Sequence, residues 1–115
     1  MEHKQLLTVF NSLPVGIGFF TADGTLVRCN ESFCRIFGAD SQTLLGNKLN
    51  INENSVVPDV VKEAVRRCVP VQMSFLYDFD KQRTDKRFFS TRTRTCYLKC
   101  NGNPLYDLSL IHISE

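Results

Sequence analysis

The segment 13–38, LPVGIGFFTADGTLVRCNESFCRIFG, leaves this chain few folds, because it sets a short apolar strand, a tight turn, a second strand and a capped helix in immediate succession. Asp23-Gly24 is a dipeptide that tolerates the positive φ values of a hairpin. Val15, Ile17 and Phe19 alternate with Gly16, Gly18 and Phe20 before the turn, and Leu26 and Val27 follow it, which predicts two antiparallel strands. Asn30 occupies an N-cap position, where its side-chain oxygen can accept from an amide one turn on. Phe33, Ile36 and Phe37 then give one apolar helix face, and Gly38 suits the left-handed residue that closes a helix.

The rest of the chain extends this start into an α+β domain. Leu6, Phe10 and Leu13, widened by Leu7 and Val9, form an amphipathic stripe over residues 4–13. After Gly38, Asp40 or Ser41 caps a short helix through Leu45 that Gly46 ends, and a polar connection covers residues 47–55. Pro58 suits the first turn of a further helix, whose apolar face is Val57, Val60, Val61, Ala64, Val65 and Cys68, and Pro70 stops it. Val71, Met73, Phe75, Tyr77 and Phe79 alternate with more polar neighbours as a strand does. A charged loop at 81–86 reverses the chain. Residues 88–98 are composed like a strand, Asn101-Gly102-Asn103-Pro104 reads as a turn, and 105–113 reads as a last strand. Five strands with helices inserted between the second and third are the predicted architecture.

Composition narrows the function classes. A chain of 115 residues predicts one domain, 1–115, and a hydrophobic fraction of 43% with nine Phe predicts a packed core rather than disorder. No apolar run approaches the roughly 20 residues that span a bilayer, and the N-terminus lacks the pattern of a signal peptide, so a cytoplasmic setting without membrane contact is expected. A net charge of +2 provides no field for nucleic acid. The five cysteines are odd in number and contain no Cys-x-x-Cys, so they read as buried thiols and not as a zinc site. Cys96 and Cys100, four apart on a strand, would lie roughly 13 Å apart along it, too far for a disulfide without rearrangement. Gly16-Ile17-Gly18 lacks the third glycine and the strand-to-helix setting of a dinucleotide loop. Asn30-Glu31-Ser32 matches a glycosylation sequon but serves better as a helix start, and no nucleophile is paired with an orienting base. No enzyme activity is expected. Arg92 and Arg94, with Lys86 and Arg87 nearby, share a strand face that is either an anion patch or ordinary solvated surface, and Thr91, Thr93 and Thr95 take the opposite face.

Leu13-Pro14-x-Gly16-Ile17, Asp23-Gly24, Asn30-x-x-Phe33, Phe37-Gly38 and Leu45-Gly46, in that order and at those spacings, resemble the opening of a PAS domain, and the likeness runs through nearly the whole chain. The resemblance implies a five-stranded antiparallel sheet with helices across one face, a flanking helix at 1–13 and a core at 14–115, cut from a longer signalling protein. It places a pocket for a small apolar ligand between sheet and helices, lined by Phe19, Phe37, Leu49, Val61, Val65, Met73, Phe75 and Tyr77; a filled core is the plainer reading of the same list. It also implies homodimerisation through Leu6, Phe10 and Leu13, alongside the simpler reading of that helix as a cap on its own sheet. Against flavin, Asn47-Lys48-Leu49 stands where light sensors of the family carry Asn-Cys-Arg. Against haem, residues 57–68 contain no histidine. The ending His112-Ile113-Ser114-Glu115 resembles the Asp-Ile-Thr/Ser-Glu with which many such domains pass their signal onward, with His112 in place of the acid. That histidine either makes coupling pH-sensitive or is merely exposed. The implied function is a sensory input module that shifts between conformations and drives a downstream histidine kinase or diguanylate cyclase; the alternative is a ligand-free dimerisation module.

Overall fold

The computed structural model describes residues 3–79, 95–105 and 108–115. The hairpin of the opening segment is built as its dipeptide predicts: β1 (Gly16–Thr21) and β2 (Leu26–Cys29) pair antiparallel, and Gly24 holds the turn at φ 93°. Within the turn, Gly24 N donates to Thr21 O at 2.8 Å and Thr25 N to the Asp23 carboxylate at 3.1 Å. A later segment clips it from outside, because the side-chain amides of Asn50 and Asn52 both donate to Asp23 O, at 2.8 and 3.0 Å.

Helices α1 (His3–Ser12), α2 (Glu31–Phe37), α3 (Ser41–Gly46) and α4 (Asp59–Arg67) form close to where the sequence signals place them, but α4 starts after Val57, and a 3-10 turn at Ile51–Glu53 forms inside what reads as a polar connection. Asn30 caps α2 through Phe33 N, Asp40 caps α3 through Thr43 N at 2.7 Å, and Pro58 immediately precedes α4. Helices α2, α3 and α4 each end with a residue in the left-handed region: Gly38 at φ 64°, Lys48 at φ 50° and Cys68 at φ 53°. In each case that residue's amide donates three residues back and the next amide five residues back, the paired closure that satisfies the last carbonyls.

Strands β3 (Val71–Asp78), β4 (Thr95–Leu105) and β5 (Leu108–Ser114) complete one antiparallel sheet of five strands among the described residues, in the order β2-β1-β5-β4-β3. The join is β1 with β5, from Gly16 opposite Ile113 to Thr21 opposite Leu108. This is the α+β architecture expected, with α2, α3 and α4 on the inner face of the sheet. The core lies between the layers and contains Leu44, Val65, Tyr77, Phe79 and Leu98, all within 1% of full burial.

Two expectations about the sheet are corrected. Residues 101–104 are not a turn but part of β4, which runs on to Leu105. Gly102 is needed for closeness rather than for bending: a Cβ there would come within 2.6 Å of Ile111 Cδ1 and 2.8 Å of Val71 Cγ1. Pro104 lies past the end of β3, where β4 pairs with β5 alone and one side of the strand needs no amide donor. The second correction is the facing of β1. Gly16, Gly18 and Phe20 turn inward, so Ile17 and Phe19 face the other way. The glycines point inward because α2 rests on them; a Cβ on Gly16 would sit 2.9 Å from Phe33 Cα, and one on Gly18 2.9 Å from Phe33 Cε2.

Candidate functional site

The inner face of the sheet, α2, α4 and the 49–54 segment enclose a cavity of about 80 Å3. Aromatic packing gives it shape. Phe33 and Phe37 stack at 4.7 Å, Phe37 meets Tyr77 edge-on at 5.3 Å and 76°, and Phe75 and Phe79 flank Tyr77 at 6.4 and 4.8 Å. Leu26, Val61, Ile111 and Ile113 fill in between. Tyr77 is fully buried, and its hydroxyl accepts a hydrogen bond from Asn54 Nδ2 at 2.6 Å; Asn54 Oδ1 in turn accepts from Val56 N at 3.1 Å. Exposed Glu53 and half-buried Val57 also line the cavity, whose polar side chains Asn50, Glu53 and Asn54 come from one segment and whose remainder is mainly apolar. Cys100 also lines it, with its thiol pushed by burial up to about 11, and so contributes a neutral group.

The wall that carries Asn50 and Ile51 is fixed to the hairpin. Leu26 N donates to Leu49 O and Ile51 N to Gly24 O, both at 2.8 Å. Asn50 Oδ1 accepts from Asn52 N at 2.9 Å and thereby caps the 3-10 turn. A polar connection in the sequence is thus a rigid side of the cavity.

Of the residues expected around this pocket, Phe37, Leu49, Val61, Phe75 and Tyr77 line the cavity. Val65 is buried in the neighbouring core, and Met73 is half-buried against it; neither reaches the cavity wall. Phe19 is a correction. It lies on the outer face, its ring 6.1 Å from that of Phe10, because the inward positions of β1 are the glycines and Phe20. Sequence reasoning missed the others that line it: Phe20, Leu26, Phe33, Asn50, Ile51, Glu53, Asn54, Val57, Cys100, Ile111 and Ile113. The alternation of Ser109, Ile111 and Ile113 in the last strand was the available signal for two of them.

The stripe on α1 divides. Phe10 and Leu13 are half-buried against their own chain, whereas Leu6 is 54% and Val9 47% exposed. The end of α1 is held by Asn30, which is fully buried and uses its whole amide. Its Oδ1 accepts from Ile17 N at 2.8 Å and Phe33 N at 3.0 Å, while Nδ2 donates to Phe10 O at 3.1 Å and Val15 O at 2.9 Å. Ser32 Oγ adds a hydrogen bond to Leu13 O.

In the final tetrapeptide, Ile113 is buried and lines the cavity, Ser114 is half-buried and Glu115 exposed. His112 is on the outer face, half-buried between Ile17 and Asn101 in neighbouring strands, with its Nε2 3.2 Å from Asn101 Nδ2. Arg92, Arg94, Lys86, Arg87, Thr91 and Thr93 lie outside the described residues, as does the 88–94 part of the expected fourth strand; Thr95 is exposed. Among the described residues no three His, Cys, Asp or Glu side chains gather closely enough to hold a metal ion, and no helix is long and apolar enough to cross a membrane.

Comparison with known proteins agrees with this architecture. A family model described as the PAS fold matches residues 10–111. No functionally curated protein matches by sequence. Among solved structures, a PAS domain from a two-component sensor histidine kinase superposes with a TM-score of 0.71 at 16% identity, over 97% of this chain and 94% of that one. The PAS domain of an HTR-like protein from Haloarcula marismortui gives 0.65 at 22% identity, over 96% and 94% of the two chains. The photoactive yellow protein domain of the sensor histidine kinase Ppr from Rhodospirillum centenum gives 0.70 at 15% identity, over 95% and 92%.

Proposed function

Because the chain belongs to the PAS fold family, we propose that it is a sensory input module in which a small, mainly apolar molecule enters the cavity under Phe75 and biases the arrangement of β5 and α1 toward an output domain. The observation that carries this reading is the position of Ile113. Its side chain lines the cavity while its backbone belongs to the end of β5, opposite Gly16 at the start of β1. A ligand that displaces this side chain acts on the last strand and on the entry to β1 together.

The size and polarity of the cavity set the ligand class. An apolar protein cavity of about 150 Å3 holds benzene, so about 80 Å3 suits a molecule of a few heavy atoms, or a larger one admitted by rotation of Phe75. The Asn54–Tyr77 pair offers one hydrogen-bonding locus in the cavity wall. The energetic requirement is modest, since coupling between a site and a distant response commonly amounts to about 1–3 kcal/mol. The role is non-catalytic, in a cytoplasmic setting, with a histidine kinase or diguanylate cyclase as the output partner.

Benzene, short-chain ketones and short-chain alcohols serve as probes. Binding should raise the melting temperature in a saturable way, and Val61→Phe, which fills the cavity, should abolish that rise. A melting temperature unmoved by every probe, together with native mass spectra free of any carried molecule, would refute the ligand reading. A second reading, a module that only dimerises, has the exposed Leu6 and Val9 in its favour. Sedimentation should then show a dimer that Leu6→Glu converts to monomer; a monomeric parent, or a dimer indifferent to that change, removes α1 as the interface.

A further inference from the structure

We propose that Cys29 and Cys34 form a dithiol site that a peroxide oxidises to an intrachain disulfide, at the corner where β2 passes into α2. On sequence grounds the five cysteines read as separate buried thiols, with only Cys96 and Cys100 at a spacing that shares a strand face. Folding changes the pairing. The chain turns through Asn30 after the last residue of β2 and begins α2, and this brings Cys29 Sγ to 3.9 Å from Cys34 Sγ. That is close to non-bonded contact, and a bridge requires it to shorten to the roughly 2.05 Å of a disulfide.

Access to the pair is unequal. Cys29 is 8% exposed, and Cys34 is half-buried; both border an open groove whose other sides are Leu7 and Phe10 of α1 and Leu45 of α3. Cys34 is therefore the thiol a small oxidant meets first. Its sulfur, as thiolate, attacks one peroxide oxygen, the O–O bond breaks, and the departing hydroxide takes up a proton to become water. The resulting sulfenic acid is attacked at sulfur by Cys29, the S–O bond breaks as the S–S bond forms, and a second water leaves. Two thiols have given two electrons and two protons, and one peroxide has become two waters.

The surroundings make this a slow, pH-dependent reaction rather than a fast scavenger. Burial, with the neighbouring Cys34 adding to it, pushes Cys29 up to about 12; burial likewise raises Cys34, the hydrogen bond with Cys29 partly offsets that rise, and the carboxylates of Asp40 and Glu31 add to it. Arg28 and Arg35 are the cations that share the groove. Attack requires thiolate, so oxidation should accelerate steadily from pH 7 to 9. Closure of the bridge would act next to Asn30, whose amide holds the carbonyls of Phe10 and Val15, so the state of the pair reaches the anchorage of α1. This inference stands independently of any ligand in the cavity.

The test is thiol counting on the intact protein before and after hydrogen peroxide, with peptide mapping. Titratable thiols should fall from five to three, the mass should drop by about two hydrogens, and the bridged peptide should join Cys29 to Cys34. Cys34→Ser should retain all four remaining thiols under the same treatment, whereas Cys29→Ala should form no bridge and keep three thiols with Cys34 as its sulfenic acid, trapped by dimedone, so a folding defect in one leaves the other to decide. In the wild type, hydrogen exchange of α1 should differ between reduced and oxidised protein. Five thiols surviving, a stable sulfenic acid on Cys34 without a bridge, or a bridge that maps to Cys96 and Cys100 would each overturn the proposal.

Discussion

Asn30 shows how much of this fold one side chain organises. Its amide makes four hydrogen bonds inside the protein and thereby fastens the end of α1, the start of β1 and the first turn of α2 to one point. Removing it leaves two amides and two carbonyls without partners in a buried place, and each such group costs about 1–3 kcal/mol. Asn30→Ala should therefore lower unfolding stability by about 3 kcal/mol or more in urea titrations, with Asn30→Ser recovering only the capping share. The left-handed helix ends allow a prediction of opposite sign. Gly38 occupies its position without strain, but Lys48 and Cys68 hold the same conformation with a Cβ, which disfavours it by about 1–2 kcal/mol. Lys48→Gly and Cys68→Gly, each offset by the greater chain entropy of glycine, should raise stability by about 0.5–1 kcal/mol, measurable as a higher urea midpoint with unchanged slope.

At the scale of elements, the sequence disclosed several features that a local rule governs and lost those that depend on what packs across from a residue. The hairpin at Asp23-Gly24, the caps at Asn30 and Asp40 and the closure at Gly38 were all legible, because each is decided within a few residues. Strand alternation in β1 was visible, but a period of two does not say which set faces inward, and the apolar Ile17 and Phe19 were the more obvious choice for the core. Contact with α2 decided otherwise. Gly102 misled for a related reason: glycine beside asparagine and proline reads as a turn, yet here it admits Ile111 and Val71. In the cavity, Phe75 and Tyr77 were legible through the aromatic alternation of β3, while Asn50, Ile51 and Asn54 were hidden in what looked like a polar connection. Glycine substitutions separate the two kinds of position. Gly16→Ala must push Phe33 backbone away and should cost about 1–3 kcal/mol. Gly46→Ala meets nothing within 4 Å and should stabilise α3 by about 0.5–1 kcal/mol, the pair being compared in one thermal unfolding series.

For the whole molecule, stability should fall toward both ends of the pH scale through different groups. Hydrogen bonds from Thr21 and Thr25 hold Asp23 below its ordinary 3.8, those from Thr43 hold Asp40 below the same value, and the hydrogen bond from Arg66 holds Glu63 below 4.5. Groups depressed in the folded state favour it above their unfolded values, and that contribution disappears as pH falls through the folded ones. All three are exposed, so each effect is small, and salt should weaken the Glu63 share most. On the alkaline side, burial raises Cys29 to about 12 and Cys100 to about 11, whereas unfolded thiols ionise near 9. Their contribution is intact below pH 9 and is lost progressively between 9 and 12. A melting-temperature profile across pH 2–12 should show both declines, and Cys100→Ala should soften only the alkaline one. The pairing of β1 with β5 carries a different consequence, one of time. Gly16 meets Ile113, so the central ladder of the sheet joins its first strand to its last and cannot assemble until β5 has been synthesised. Until the ribosome has released β5, the hairpin and β3–β4 are fragments with open edges, dependent on whatever shields them from aggregation, and completion of the fold is delayed by the loop that must close.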